Sequence, residues 1–181
     1  SSLFGKRWGG IGLSINRRRG GMMSYRASLL HGLNLNRFVL KNMLSDIGDE
    51  DASKPISGGG SNIRWLAGHI LYGADRVYAY LIEKKPDRDI ERKFGYQTSA
   101  RDDSAGYPSL SELYERIDHI HEKLTAYISS HSDEDLEKEI KTGDRLLKVW
   151  QMLIGYIMHE YYHIGQIAMM RTALGRKRPF G

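Results

Sequence analysis

Two histidines, His159 and His163, stand four residues apart in His159-Glu160-Tyr161-Tyr162-His163-Ile164-Gly165-Gln166. On a helix that spacing projects both rings from one face of successive turns. Both rings can then aim a nitrogen at one point ~2.0–2.1 Å away, the bonding distance of a divalent metal such as zinc. The same pair also suits a polar seam with hydrogen-bonded ring tips, and a third ligand has to decide between the two. The letters spell H-E-x-x-H as well, in which Glu160 would be the general base of a zinc protease. Such proteases take a further ligand, and the chain after His163 holds no His, Asp or Glu. The extended protease pattern would need Gly and His at two positions occupied by Gln166 and Met169. The protease reading therefore fails unless an upstream residue completes the set.

An upstream candidate lies in Ser61-Asn62-Ile63-Arg64-Trp65-Leu66-Ala67-Gly68-His69-Ile70. His69 falls about two turns inside a second helical pattern, where Ile63, Leu66, Ile70, Ala74, Val77 and Leu81 repeat at heptad spacing. It shares a flank with Asn62, Trp65, Gly73, Arg76 and Tyr80. A lone histidine there would be structural. The combination N-x-x-W-x-x-x-H with a distant H-x-x-x-H-x-G-Q-I resembles the DinB/YfiT-like family of four-helix-bundle metalloproteins. The resemblance spans roughly residues 23–174 and rests on Asn62, Trp65, Gly68, His69, His159, His163, Gly165, Gln166 and Ile167.

That resemblance implies a divalent metal on His69, His159 and His163. Zinc or nickel leads among the ions, with iron or manganese as alternatives. Three imidazoles leave coordination positions open for water or substrate, the arrangement of catalytic sites. A bound water would titrate near ~7, and a bound thiol would ionise. Some members of the family are S-transferases or isomerases that use a low-molecular-weight thiol. The expected activity is accordingly thiol transfer to a small electrophile, or another metal-dependent transferase or hydrolase reaction. The alternative is a non-catalytic, stress-associated metal-binding dimer. Gln166, one turn beyond His163, is placed to orient a ligand. Glu160 is rotated ~100° from His159 and suits an outer acceptor for an imidazole N–H. Asn62, Trp65, Arg76 and Tyr80 complete the residues expected to support the ligands or wall a substrate pocket.

Composition narrows the setting. A chain of 181 residues that is 40% hydrophobic is long enough for one domain with a sizeable core. No apolar run reaches the ~18 uninterrupted residues of a membrane span, and residues 1–21 lack the apolar core of a signal peptide. The absence of cysteine excludes disulfides and a cysteine nucleophile. It suits a cytoplasmic protein and means that any reacting thiol arrives on a small molecule. The formal charge of +5 resides entirely in Lys6, Arg7, Arg17, Arg18 and Arg19. The rest of the chain is neutral, so a basic protein resolves into a neutral domain, 23–181, behind a basic, Gly-rich tail, 1–22. The tail is read as a disordered extension or a remnant of expression rather than a phosphate-binding arm. No nucleic-acid or membrane partner is expected.

The elements that must position the histidines follow from periodicity. Four main helices are expected near 24–47, 61–85, 109–130 and 146–174, with no substantial sheet, giving an all-α four-helix bundle. Leu29, Leu33, Leu40, Met43 and Ile47 stripe the first helix, and Leu110, Leu113, Ile117, Ile120, Leu124 and Ile128 the third. The third opens on the capping box Ser109-Leu110-Ser111-Glu112. Its His119 and His121 point to different sides and are left out of the metal site; His31 is read as structural or exposed. Residues 48–60 read as a polar loop, and Ser132-Asp133-Glu134-Asp135 as an acidic turn or short helix. Thr142-Gly143-Asp144 marks a turn before the fourth helix. Residues 85–108 show no periodicity and are long for a loop, so they are expected to form one long crossover that lets the second and third helices run parallel. The fourth helix carries its metal stripe opposite Leu147, Trp150, Ile154, Ile157, Tyr161, Ile164 and Ala168. An apolar surface on two sides predicts burial beyond one bundle, hence a homodimer.

Overall fold

The computed structural model describes residues 24–55, 61–100, 106–177 and 179–180. The basic stretch 1–22 lies outside them. The chain forms α1 (Tyr25–Leu44), α2 (Asp49–Ser53), α3 (Ile63–Leu81), α4 (Arg88–Phe94), α5 (Leu110–Ser130), α6 (Asp133–Leu136), β1 (Glu139–Thr142), β2 (Arg145–Lys148) and α7 (Val149–Ala173). Capping residues set most of the starts. The side chains of Ser24, Asn62, Asp87, Ser109 and Ser132 accept backbone N–H groups at the starts of α1, α3, α4, α5 and α6. α3 stops at Leu81, about one turn short of the expected end, and Glu83 takes a left-handed φ of 53.

The four long helices α1, α3, α5 and α7 make a four-helix bundle. Each of α1 and α3 packs against both α5 and α7. Contacts along their length fix the directions. The starts of α3 and α5 meet on Asp49, which accepts from the Leu110 amide at 2.8 Å and pairs with the Arg64 guanidinium at 2.8 Å. Further along, the Lys123 ammonium lies over the Tyr78 ring, so α3 and α5 run parallel. α1 and α7 also run parallel: Asn36 donates to the Ile157 carbonyl, and a turn or two later the buried Arg171 donates to the Met43 carbonyl. α5 runs against α1, since Arg37 pairs with Asp118 while Ser24, at the other end of α1, bonds Asp133.

Two parallel neighbours in sequence need a connection as long as the bundle. Residues 82–100 begin it by folding back along α3. Asp87 docks on Asp75, Phe94 on Gly68 and His69, and Thr98 on Trp65. The segment was expected to lack regular structure, yet it contains α4. Its seven residues escape a periodicity search, but the Asp87 cap, the acids in its first turn and Arg92-Lys93 in its last form a complete short-helix signature. Ile90 and Phe94, one turn apart, bury its inner face.

Of three other expectations, two change and one, the acidic short helix, holds. The polar loop 48–60 includes the short helix α2 around the buried Ala52; residues 56–60 lie outside the described set. The acidic segment after Ser132 is a short helix, α6, closed by a capping box. The fourth helix begins at Val149 rather than 146, because Leu146 and Leu147 belong to β2 of an antiparallel hairpin that pairs Ile140 with Leu147. Gly143 takes φ 63 at the first position of its two-residue turn, the conformation that primed hairpin turns require. On α7, Ile157 and Ile164 are buried in the bundle as expected, but Tyr161 is exposed. The buried surface there runs instead through Met152, Leu153, Tyr156, Glu160, His163 and Ile167.

Gly68 is where the returning connection touches α3 most closely. A Cβ at this position would lie 2.2 Å from the Phe94 ring, which is itself buried. Gly68→Ala should therefore push α4 away and destabilise the protein by ~1–3 kcal/mol, the usual cost of overpacking. Thermal or urea unfolding measures it, and an unchanged midpoint would show that α4 is free to move.

Candidate metal centre

α3 and α7 run antiparallel and bring His69, His159 and His163 together, the one such cluster of His, Asp or Glu among the described residues. The Nε2 atom of His159 is 3.3 Å from that of His69 and 3.1 Å from that of His163. Two nitrogens bound to one tetrahedral ion at ~2.0–2.1 Å sit roughly 3.4 Å apart, so these separations fit a shared cation.

The outer ring nitrogens decide the protonation. His69 Nδ1 lies 2.6 Å from the Phe94 carbonyl, and His163 Nδ1 lies 2.6 Å from Gln166 Oε1. Both oxygens can only accept, so both Nδ1 atoms carry the proton and donate. In the neutral rings both Nε2 atoms are then bare lone pairs aimed into the cluster. His159 has at most one Nε2 proton and cannot satisfy both. A cation at the centre answers all three. Burial pushes all three imidazoles below their ordinary range, His159 down to about 4 with help from the two neighbouring rings. The rings are thus held in the neutral state that a metal requires.

The other expected residues fall into separate roles. Asn62 anchors the start of α3: its Oδ1 accepts from the Trp65 amide at 2.8 Å and its Nδ2 donates to the Ser53 carbonyl. Trp65 stacks on His69 with centroids 4.9 Å apart and donates from Nε1 to Thr98, so it backs the ring and ties it to the connection. Gln166 holds His163 and donates to the Tyr162 hydroxyl at 3.3 Å. Arg76 and Tyr80 line a cavity of about 590 Å³ between α3, the hairpin turn and α7, with His159 on its wall. That volume lies in the range of small-molecule sites, ~300–1,000 Å³. Gly73 keeps the passage to His159 open, since a Cβ there would stand 3.3 Å from the ring.

Glu160 departs from expectation. It does stand against an imidazole, but the wrong one: its Oε1 lies 2.8 Å from His121 Nε2, out of line for a hydrogen bond, and its Oε2 accepts from Asn36 Nδ2 at 3.1 Å. Both Glu160 and His121 are buried between α1, α5 and α7, away from the three-histidine cluster. The Tyr156 hydroxyl reaches the same His121 nitrogen at 3.0 Å; burial, then the Glu160 carboxylate, drives its pKa well up, so the phenol keeps its proton. His119 and His31 are exposed.

Sequence reasoning missed the Phe94 carbonyl, Thr98, Tyr72 and Arg145. A backbone acceptor leaves no trace in side-chain spacing. The Asp87-capped short helix was the only signal that chain returns past His69.

Fold and site together define a helical-bundle protein with a three-histidine centre suited to a transition metal. The chain belongs to the DinB superfamily, which it matches over residues 33–167. Solved structures agree on the fold. A DinB-like protein from Bacillus cereus is 17% identical with a TM-score of 0.65, covering 84% of this chain and 95% of its own. A conserved protein from Enterococcus faecalis is 14% identical at TM-score 0.65, covering 86% and 100%. YfiT from Bacillus subtilis is 16% identical at TM-score 0.63, covering 89% and 94%, and is described as a probable metal-dependent hydrolase with an unusual four-helix bundle topology. No curated protein matches the sequence.

The depressed imidazoles make the metal-free protein acid-sensitive in a defined window. Unfolded, each ring titrates near 6.5; folded, all three titrate lower, His159 near 4. As pH falls from 6.5 toward 4 the unfolded chain binds protons that the folded chain refuses, so stability falls; above that window the rings contribute no slope. Urea unfolding of chelator-treated protein between about pH 7.5 and about pH 4.5 should show a steeper decline for wild type than for His159→Gln. Equal declines would mean that His159 is not held neutral.

Proposed function

We propose that the protein is a divalent-metal-dependent enzyme that transfers a low-molecular-weight thiol to a small electrophile. The observation that carries this reading is a three-histidine cluster whose His159 stands on the wall of a cavity, with no fourth His, Asp or Glu joining it among the described residues. His69, His159 and His163 would hold the ion, zinc or nickel first and iron or manganese as alternatives. The ion would supply Lewis acidity, enough to ionise a bound thiol or water. The chain's own groups do the rest. Phe94 and Gln166 fix the ring tautomers, Trp65 shields the back of His69, and Gly73 leaves the approach to His159 clear. With no cysteine in the chain, any reacting thiol has to be diffusible, and such a chain suits the reducing cytoplasm. A closed, purely structural site would have favoured a non-catalytic metal-binding bundle.

Hydrolysis, the reaction ascribed to YfiT, is the second reading and differs only in placing water where the thiol would be. Metal analysis of protein made without a polyhistidine tag, followed by a screen of monochlorobimane with several small thiols and of a nitrophenyl ester without thiol, separates them. Thioether formation that disappears with the metal supports transfer; ester cleavage alone supports hydrolysis. His69→Ala, His159→Ala and His163→Ala should each lower metal content sharply. Full metal in all three would overturn the centre.

We also propose a homodimer. Met158, Tyr161, Tyr162 and Met169 are large apolar side chains left exposed along one side of α7, with nothing crowding Gly165 between them. No helix among the described residues is long and apolar enough to cross a membrane. A self-complementary contact on this side of α7 would bury on the order of 1,200 Å² or more. Light scattering at micromolar concentration should give twice the chain mass, and Tyr161→Glu with Met169→Glu should halve it. A monomeric wild type would defeat the dimer and leave the metal centre untouched.

A further inference from the structure

The cavity beside His159 has an unusual set of polar groups. Arg76, half-buried on α3, donates to the Tyr72 hydroxyl at 2.6 Å and to the Tyr80 hydroxyl at 3.2 Å. Its guanidinium carbon lies 5.3 Å and 5.7 Å from the centroids of the same two rings. Among the described residues it has no carboxylate partner. A guanidinium can only donate, so both phenol oxygens accept from it and both phenol protons are left to point elsewhere. Arg145, the first residue of β2, stands on the facing wall and also lacks a carboxylate partner among the described residues. The cavity wall is thus rich in donors: two guanidinium groups and four tyrosines, Tyr96 and Tyr156 beside Tyr72 and Tyr80. The one acid on its wall is Asp144 in the hairpin turn.

We propose that this cavity binds a monocarboxylate group of the substrate, held by Arg76 and Arg145, so that the rest of the molecule extends toward His159. One feature favours one carboxylate over a phosphate. The planar edge of a guanidinium matches two oxygens of either anion, but two cations against the Asp144 carboxylate leave a single positive charge to match. The pairing of Arg76 with two phenols rather than with an acid keeps its charge uncancelled, yet holds the head in place. The orientation toward His159 rests on the metal-centre reading; the carboxylate site itself does not.

The test is a titration of the full chain with hexanoate and with its neutral isostere hexanamide, followed by ligand-observed NMR on zinc-loaded and on chelator-stripped protein. Hexanoate should bind both forms at least tenfold more tightly than hexanamide. Arg76→Gln should abolish that preference while zinc content stays at the wild-type level, which verifies that the bundle is intact. Arg145→Gln, on the exposed turn, should narrow the preference several-fold, and Arg76→Lys should retain part of it. Equal affinity for acid and amide in the wild type would overturn the proposal. So would a preference that survives Arg76→Gln, or one confined to zinc-loaded protein, where the ion itself would be taking the carboxylate. Inorganic phosphate binding as tightly as hexanoate and with the same dependence on Arg76 would overturn the choice of carboxylate. Failure to bind zinc alongside an intact, Arg76-dependent preference would sink the metal-centre reading and leave this site standing.

Discussion

Three imidazole Nε2 atoms facing one another, at least two of them bare, are an unfavourable arrangement, and the surrounding structure is built to hold it. Two of the rings are pinned from behind, His69 by the Phe94 carbonyl and His163 by Gln166. Those acceptors place the proton on the outer nitrogen and leave the inner one bare. Burial then makes protonation, the ordinary escape from such crowding, costly. A cation in place of the missing protons would relieve the convergence, and geometry, tautomer and titration all favour that occupant.

The Phe94 carbonyl is available because of topology. A bundle in which α3 and α5 are parallel must return the chain along its full length, and the return path passes over His69. The same strand of connection buries Ile90 and Phe94, bonds Trp65 through Thr98 and closes on Gly68, where no side chain fits. A simple up-down bundle with short turns would leave the outer nitrogen of His69 to water. The long crossover therefore sets the tautomer of a metal ligand, a role that a mere linker would not have.

Much of this was legible in the residues. Heptad and 3–4 spacing gave the four long helices to within a few residues, because burial on one face is what those patterns encode. The histidines could be grouped because two share a helix and the third sits in a distinctive N-x-x-W-x-x-x-H setting. What escaped was structure held by few residues or by backbone. α4 is too short to be periodic, β1 and β2 are four residues each, and Leu146 and Leu147 fit a helical stripe as well as a strand. The partner of Glu160 was illegible for another reason. Its angle on the helix excludes the metal face but does not say which neighbour supplies the imidazole.

That neighbour, His121, explains how α7 can carry a carboxylate at 0% exposure one residue from a metal ligand. An isolated buried carboxylate would be costly, and here an imidazole, an amide and a phenol stand against it. Asn36 from α1 and His121 from α5 both converge on Glu160 of α7, so one polar contact joins three of the four long helices. It also fixes the rotation of α7 about its axis. Turning that helix by one residue would bury Tyr161 in place of Glu160 and swing His159 away from His69. The polar pair on the far side of α7 thus sets the angular register that aims both of its metal-facing histidines.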